Sequence, residues 1–332
     1  MTNSSPDIAG SIRVTLTPSG GRVGAVAIAS TRPVAAARMF QGLAAGEMTA
    51  RIGRVFSLCG AAQTVAALGA VEQALGIAPA PGVSAARDAL RLAEMITQTA
   101  MRLALHWPRA LGMELRPDLV RIALEAERSV ETQVLGADWR QPGAGLAGPQ
   151  PMDEPLAPLR ALADDPLPEV LAKALAARGI ESFGALASGQ GPEAGALSRN
   201  WDAAAVAEAC ARHGAGLAAR LAAARHDLAI LPFALADALA QVSQTPPRLP
   251  ARQTGQGAAT VETARGPLTH RVAITGGVVT ACETEAPTEA NFTPHGPVAS
   301  GLSGAPLDAV AAELHVLAID PCVACSIELA GG

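Results

Sequence analysis

The sequence has no tyrosine, and aromatic residues fill only 2% of its 332 positions. Large rings therefore cannot dominate its core. The apolar mass has to come from close-packed helices of alanine and leucine, and a mainly α fold with some β structure is expected. No block of lysine or arginine occurs and the net charge is −5, which argues against nucleic acid or an anionic membrane surface as the main partner. No stretch reaches the ~20 consecutive apolar residues needed to span a bilayer. The opening residues, MTNSSPDIAG, lack a basic segment followed by an apolar one, so a cytoplasmic location is expected. Cysteine is scarce and odd in number: Cys59, Cys210, Cys282, Cys322 and Cys325. In a reducing compartment that speaks against a disulfide framework and leaves metal or redox chemistry open.

What is present is 49% hydrophobic and 17% charged, enough to bury one large core or two. Residues 11–29 alternate in polarity around Pro-Ser-Gly-Gly, the pattern of a hairpin. Helical periodicity follows from Pro33 to Gly76, interrupted near Arg54 to Gly60, and resumes over Ser84 to His106 and Pro117 to Leu135. A Pro/Gly-rich segment, Gln141 to Pro158, reads as a surface loop. Residues 166–243 are again helical, with Trp201 to Arg225 the clearest stretch. The segment QTPPRLPARQTGQG, 244–257, reads as a mobile breaker. Strand-like runs at Leu268–Thr275 and Val278–Glu283, an irregular loop from Ala286 to Pro306 and a helix around Leu307–Leu317 complete the chain. Three segments are expected: 1–140 with hairpin, helices and the first cysteine, a helical middle with flexible loops over 141–257, and a β/loop part over 258–332. The last is expected to pack on the first as one domain.

Asp320-Pro321-Cys322-Val323-Ala324-Cys325 sets two thiols three residues apart after a turn that can present both sulfurs to one ion. A redox dithiol and two buried thiols are the other readings of CxxC. Cys59, followed by Gly60 at the start of a helix, stands where amide dipoles favour a thiolate, or else is a small buried hydrophobe. Cys210 in an alanine-rich helix and Cys282 at a strand end read as structural. His106, His213, His226, His295 and His315 are scattered and read as surface or core histidines.

Together these residues resemble the large subunit of nickel–iron hydrogenases, which has a Cys-Gly-x-Cys motif near its N-terminus and an Asp-Pro-Cys-x-x-Cys-x-x-His motif at its C-terminus. Gly46 to Cys59, Ala70 to Ile77, Glu262 to His270 and Pro287 to Pro294 are similar to the family's flanking segments, in the right order. The resemblance covers about 25–77 and 258–328 and is weak between them. It implies a reduced large-subunit-like helical core with a small peripheral sheet. By position, it makes Cys59 and Cys322 the nickel-type ligands and Cys325 one bridge to iron. Ala62 stands where the second bridging cysteine belongs.

That loss, the absence of the family's acidic residue near Ile12-Arg13-Val14, and Glu328 in place of the terminal histidine all speak against a working hydrogenase with stable nickel. The pattern is similar to the hydrogenase expression/formation proteins of the HupK/HoxV type. The resemblance implies an assembly factor, not an enzyme, that transiently holds iron with two cyanides and one carbon monoxide on Cys59, Cys322 and Cys325. Arg265, Pro287 and Thr288 would contact the diatomic ligands, with His270 behind them. The implied partners are the HypC/HypD-type maturation chaperone complex and the hydrogenase large subunit. A metal-free decoy that binds the chaperones is the alternative; a degenerate hydrogenase or a dithiol oxidoreductase is a weaker one.

Overall fold

The computed structural model describes residues 10–32, 36–146, 156–186, 193–242 and 252–331. The chain opens with strands β1 (Ser11–Ser19) and β2 (Arg22–Ser30), an antiparallel hairpin as expected. Ile12, Val14 and Leu16 point into the core while Ser11 and Arg13 face out, the period-2 pattern of a half-covered strand. Helices α1 (Ala45–Val55) and α2 (Gly60–Leu75) follow, separated by a 3-10 turn at Ser57–Cys59. Next come α3 (Pro81–Met101), α4 (Trp107–Leu111) and α5 (Pro117–Ser129), with π turns at Arg102–His106 and Val130–Leu135. The middle supplies α6 (Leu156–Ala163), α7 (Leu167–Arg178), α8 (Ala196–Arg199), α9 (Ala204–His213) and α10 (Leu217–Ala240). Strands β3 (Gly255–Thr263), β4 (Gly266–Thr275) and β5 (Val278–Glu285) form an antiparallel meander. Short helices α11 (Pro287–Asn291) and α12 (Pro297–Leu302), then α13 (Ala309–Ile319) and β6 (Ala324–Leu329), end the described chain.

The principal core lies around α3, which packs against α10 and α5. Its largest fully buried side chain is Trp107, one of only three tryptophans; most of the rest is leucine, valine and alanine, as the composition requires. A second cluster joins α1 and α2 to the meander through Met48, Ile52, Val71, Val272 and Val279. Strand β6 runs parallel to β1, with Ser11 opposite Ala324 and Leu16 opposite Leu329, so the terminal cysteine segment is tied to the hairpin.

Four sequence expectations change. Trp201 to Arg225 is not one helix: Gly214 adopts a φ of 66° and breaks it between α9 and α10. The breaker at 244–257 lies outside the described residues up to 251, but its last three residues begin β3. Those glycines look like linker yet are there for space, since a Cβ on Gly257 would fall 2.1 Å from the Ala70 carbonyl oxygen of α2. The irregular loop at Ala286 to Pro306 contains α11 and α12, each opened by a proline at its first position. Strand β6 was not expected. Of the Gln141 to Pro158 loop, 147–155 fall outside the described residues.

Candidate metal centre

Cys59 ends the 3-10 turn and occupies the N-cap position of α2, 8% exposed. The amides that were expected to stabilise a thiolate there are already engaged. Glu94, reaching across from α3, accepts hydrogen bonds from Ala61 N (2.8 Å) and Ala62 N (3.0 Å). Burial, and then the neighbouring Glu94 carboxyl, push the Cys59 thiol up to about 12, with Arg265 pulling the other way. Cys59 is therefore held as a thiol, which corrects the thiolate expectation. Glu94 is itself raised to about 8 by burial and by Glu127, its two amide donors opposing the shift.

A buried chain of polar groups supports the sulfur from behind. Gln63, one helical turn after Cys59, donates from Nε2 to Sγ at 3.5 Å, and its Oε1 lies 2.7 Å from His270 Nε2. Thr284 Oγ1 lies 2.9 Å from His270 Nδ1. With Gln63 donating to sulfur, its oxygen must accept, which assigns the His270 proton to Nε2 and lets Nδ1 accept from Thr284. Burial lowers His270 to about 4, so the imidazole is neutral. His270 thus reaches the cysteine through Gln63 and not directly.

Arg265, 8% exposed in the turn between β3 and β4, joins the two ends of the chain. Its Nε lies 3.1 Å from both the Asp320 carbonyl oxygen and Asp320 Oδ2, and its Nη1 donates to Gln98 Oε1 at 2.7 Å. Gln98 in turn donates to the Leu58 carbonyl oxygen at 2.6 Å, fixing the residue before Cys59. Nη2 donates to no described residue. Burial disfavours the guanidinium charge, but its acidic neighbours, Asp320 first among them, outweigh it and the net shift is upward, so Arg265 stays cationic.

At the other end, α13 stops at Asp320, whose φ of 60° makes it the one non-glycine residue with positive φ among the described residues. The Arg265 ion pair holds that conformation. Cys322 follows in a bend, its amide donating to Thr288 Oγ1 at 3.2 Å, which anchors the turn to α11. From Ala324 the backbone is extended. The two sulfurs of the segment border different cavities. Cys59 and Cys322 line a cavity of about 90 Å³ together with Gln63, Arg265, Pro287 and Thr288. Cys325 lines a separate cavity of about 770 Å³, shared with Gln98, His106 and Asp320. Arg265, Leu58 and Val323 border both. Burial pushes the Cys325 thiol up to about 11.

The structure thus brings together Cys59, Cys322, Arg265, Pro287 and Thr288, places His270 one residue behind them, and leaves Cys325 next door. Among the described residues, no three Cys, His, Asp or Glu side chains converge closely enough to hold a metal ion. Ala62 is fully buried and offers a methyl group where a bridging sulfur would stand. The residues present do not fit a binuclear nickel–iron centre, whose nickel needs a full thiolate set. Glu328 pairs with Arg13 at the surface, 3.1 Å away. Cys282 is buried in β5 and Cys210 half-buried on α9, away from both cavities. Sequence reasoning missed Gln63, Gln98, Glu94, Thr284 and the ion-pairing role of Asp320. Only Gln63 carried a signal, its i+4 spacing from Cys59 on one helix face.

No protein-family model matches the chain. It is 33% identical to the hydrogenase expression/formation protein HupV of Azotobacter chroococcum mcd 1, over 97% of this chain and 99% of that protein. It is also 33% identical to the hydrogenase expression/formation protein HupK of Rhizobium leguminosarum bv. viciae, over 97% of each. Among solved structures, the nickel–iron–selenium hydrogenase of D. vulgaris Hildenborough superposes with a TM-score of 0.73, at 15% identity, over 92% of this chain and 94% of that one. That of Dm. baculatum gives 0.73 at 13% identity. The fold is that of the nickel–iron hydrogenase large subunit.

Proposed function

This chain belongs to the hydrogenase expression/formation protein family of HupK and HupV, and from that premise we propose that it is a non-catalytic carrier of the iron fragment during hydrogenase large-subunit maturation. The cargo is iron bearing two cyanides and one carbon monoxide, held transiently on the Cys59 and Cys322 sulfurs. Nickel is not retained.

The observation that carries this reading is the position of Arg265. A cationic guanidinium, nine-tenths buried, borders the same small cavity as two thiols and has one nitrogen without a described partner. With Nε and Nη1 engaged by Asp320 and Gln98, Nη2 is the nitrogen that would donate a hydrogen bond to a cyanide nitrogen. Pro287 and Thr288 close the cavity beside it. Two thiolates are fewer than a finished large subunit offers, which suits a cargo that must leave again. Because Cys59 rests as a thiol, loading releases a proton. The HypC/HypD-type chaperone complex as donor, the large subunit as recipient and the cytoplasm as location complete the proposal.

A metal-free decoy that binds the chaperones is the second reading, favoured by the absence of a converged three-ligand set among the described residues. Infrared spectroscopy of protein purified without oxygen after co-expression with the maturation machinery separates the two. The carrier shows metal-bound cyanide and carbon monoxide bands with iron and without nickel. Cys59→Ala or Cys322→Ala abolishes the bands, whereas Cys210→Ala keeps them. A silent spectrum from the loaded wild type leaves the decoy.

A further inference from the structure

We propose that Arg199 and Asn291 are positioning residues for the iron cargo: through them a buried strap, residues 193–200, holds the Arg265 turn and helix α11 in a fixed relation to each other. The inference rests on the carrier reading and gives the middle of the chain a part in shaping the site.

The strap is anchored on α10. Glu193, 3% exposed, accepts from Arg220 Nε at 2.9 Å and from Arg220 Nη2 at 2.7 Å. At the other end Asn200 donates from Nδ2 to Asp227 Oδ1 at 2.7 Å and to the Ala223 carbonyl oxygen at 3.2 Å. Arg199 donates from Nη2 to Oδ2 of the same fully buried Asp227 at 2.7 Å. Buried charges paired in this way are costly to separate, so the strap has one place to lie.

From that anchor it reaches both walls of the inner cavity. Toward the first, Arg199 Nη1 donates to the Thr263 carbonyl oxygen at 3.1 Å and pairs with Glu262. Thr263 Oγ1 accepts from the Arg265 amide at 3.1 Å and donates to the Gly266 carbonyl oxygen at 2.8 Å, so Arg199 holds the residue that shapes the Arg265 turn. Strap and turn meet backbone to backbone: a Cβ on Gly195 would lie 3.3 Å from the Arg265 carbonyl oxygen, and one on Gly266 would lie 3.0 Å from Gly195 N. Toward the second wall, Asn291, 2% exposed at the end of α11, accepts from Ala194 N at 3.0 Å and donates from Nδ2 to the Ala194 carbonyl oxygen at 2.8 Å. One side-chain amide thus satisfies both backbone groups of one strap residue.

Thr263, Arg265, Pro287 and Thr288 line the inner cavity, and none of the strap residues does. The strap therefore acts on a cargo only through the walls. A hydrogen bond from Arg265 Nη2 to a cyanide nitrogen weakens steeply with distance and angle, so small displacements of the turn or of α11 change how the diatomic ligands are held without removing a sulfur.

The test compares infrared spectra of the full-length protein co-expressed with the maturation machinery and purified without oxygen. Arg199→Lys keeps the charge and loses the fork that engages Asp227, Glu262 and Thr263 together. Asn291→Ala removes both bonds to Ala194. Each is expected to shift and broaden the cyanide bands while iron stays bound. Leu235→Ala, a core substitution further along α10, should lower stability and leave the bands at their wild-type positions. Wild-type bands in Arg199→Lys and Asn291→Ala, or an equal shift in Leu235→Ala, overturn the inference and keep the carrier; if Asn291→Ala does not fold, Arg199→Lys decides. Hydrogen exchange in cargo-free protein gives a second readout. The Arg265 amide should exchange about tenfold faster in Arg199→Lys, with the Glu94-bound Ala61 amide unchanged; an unchanged Arg265 amide means that the turn is held by something else and overturns the inference. If co-expressed wild type shows no cyanide or carbon monoxide bands, the carrier reading fails and the inference falls with it, whatever the exchange rates show about the strap.

Discussion

Cys59 and the Cys322–Cys325 segment face each other across Arg265, but they are built on opposite terms. Cys59 sits at the start of a sixteen-residue helix, with its amides taken by Glu94, its sulfur contacted by Gln63 and its preceding carbonyl held by Gln98. Cys322 lies in a bend, tied down by one hydrogen bond from its amide to Thr288 Oγ1, and Cys325 lies on β6 at the edge of a three-stranded sheet. One side is clamped from several directions; the other hangs from a strained Asp320 and one side of a strand. The difference teaches that two sulfurs on one cavity can be held on unequal terms, one by several side chains and one by a single turn.

The largest effect is expected where the two sides meet. Arg265→Ala leaves the buried Asp320 carboxylate without its ion pair in a left-handed conformation, at a cost of about 3–5 kcal/mol. Urea unfolding measures it, and a loss below about 1 kcal/mol would mean that the two sides are held together by something other than this pair. A second break is selective for the Cys59 side. His270 titrates near 4 in the fold but near 6.5 when unfolded, so between those values the unfolded state binds more protons and stability falls as pH falls. The full effect, about 3 kcal/mol, is reached only below pH 4. His270→Gln removes it, so the stability of the variant relative to wild type should rise steadily from pH 7 down to pH 4; a constant difference would exclude a buried neutral imidazole.

The smallest effect sharpens the contrast without abolishing either side. Glu94→Ala frees the Ala61 and Ala62 amides and should cost about 1–2 kcal/mol, as for a lost helix cap. Above about pH 8, where Glu94 is ionised, it also removes the negative neighbour that helps raise the Cys59 thiol, so alkylation of Cys59 there should quicken while that of Cys322 does not. Equal acceleration of both thiols would show that the variant loosens the whole site.

How much of this was legible depended on whether a residue's role was local. The hairpin, the helices around Cys59 and the order of the two cysteine segments could be read because polarity period, Gly-Gly turns and motif residues are properties of short stretches. Strand β3 was obscured because Gly255 and Gly257, needed for contact with α2, read as linker. The placing of Cys325 on a strand was hidden because β6 forms by pairing with β1, a contact between distant parts of the sequence. Gln98 and Glu94 lie inside a long helix with no motif around them, and only the packing of α3 against the start of α2 gives them a task.

The parallel pairing of β6 with β1 has a consequence for biosynthesis. Ser11 and Ala324 lie far apart in the sequence, so the register that positions the cysteine segment forms only after Ala324 has been made. Contacts of such long sequence separation also form slowly. A nascent chain therefore holds Cys59 before the segment that carries Cys322 and Cys325 is in place.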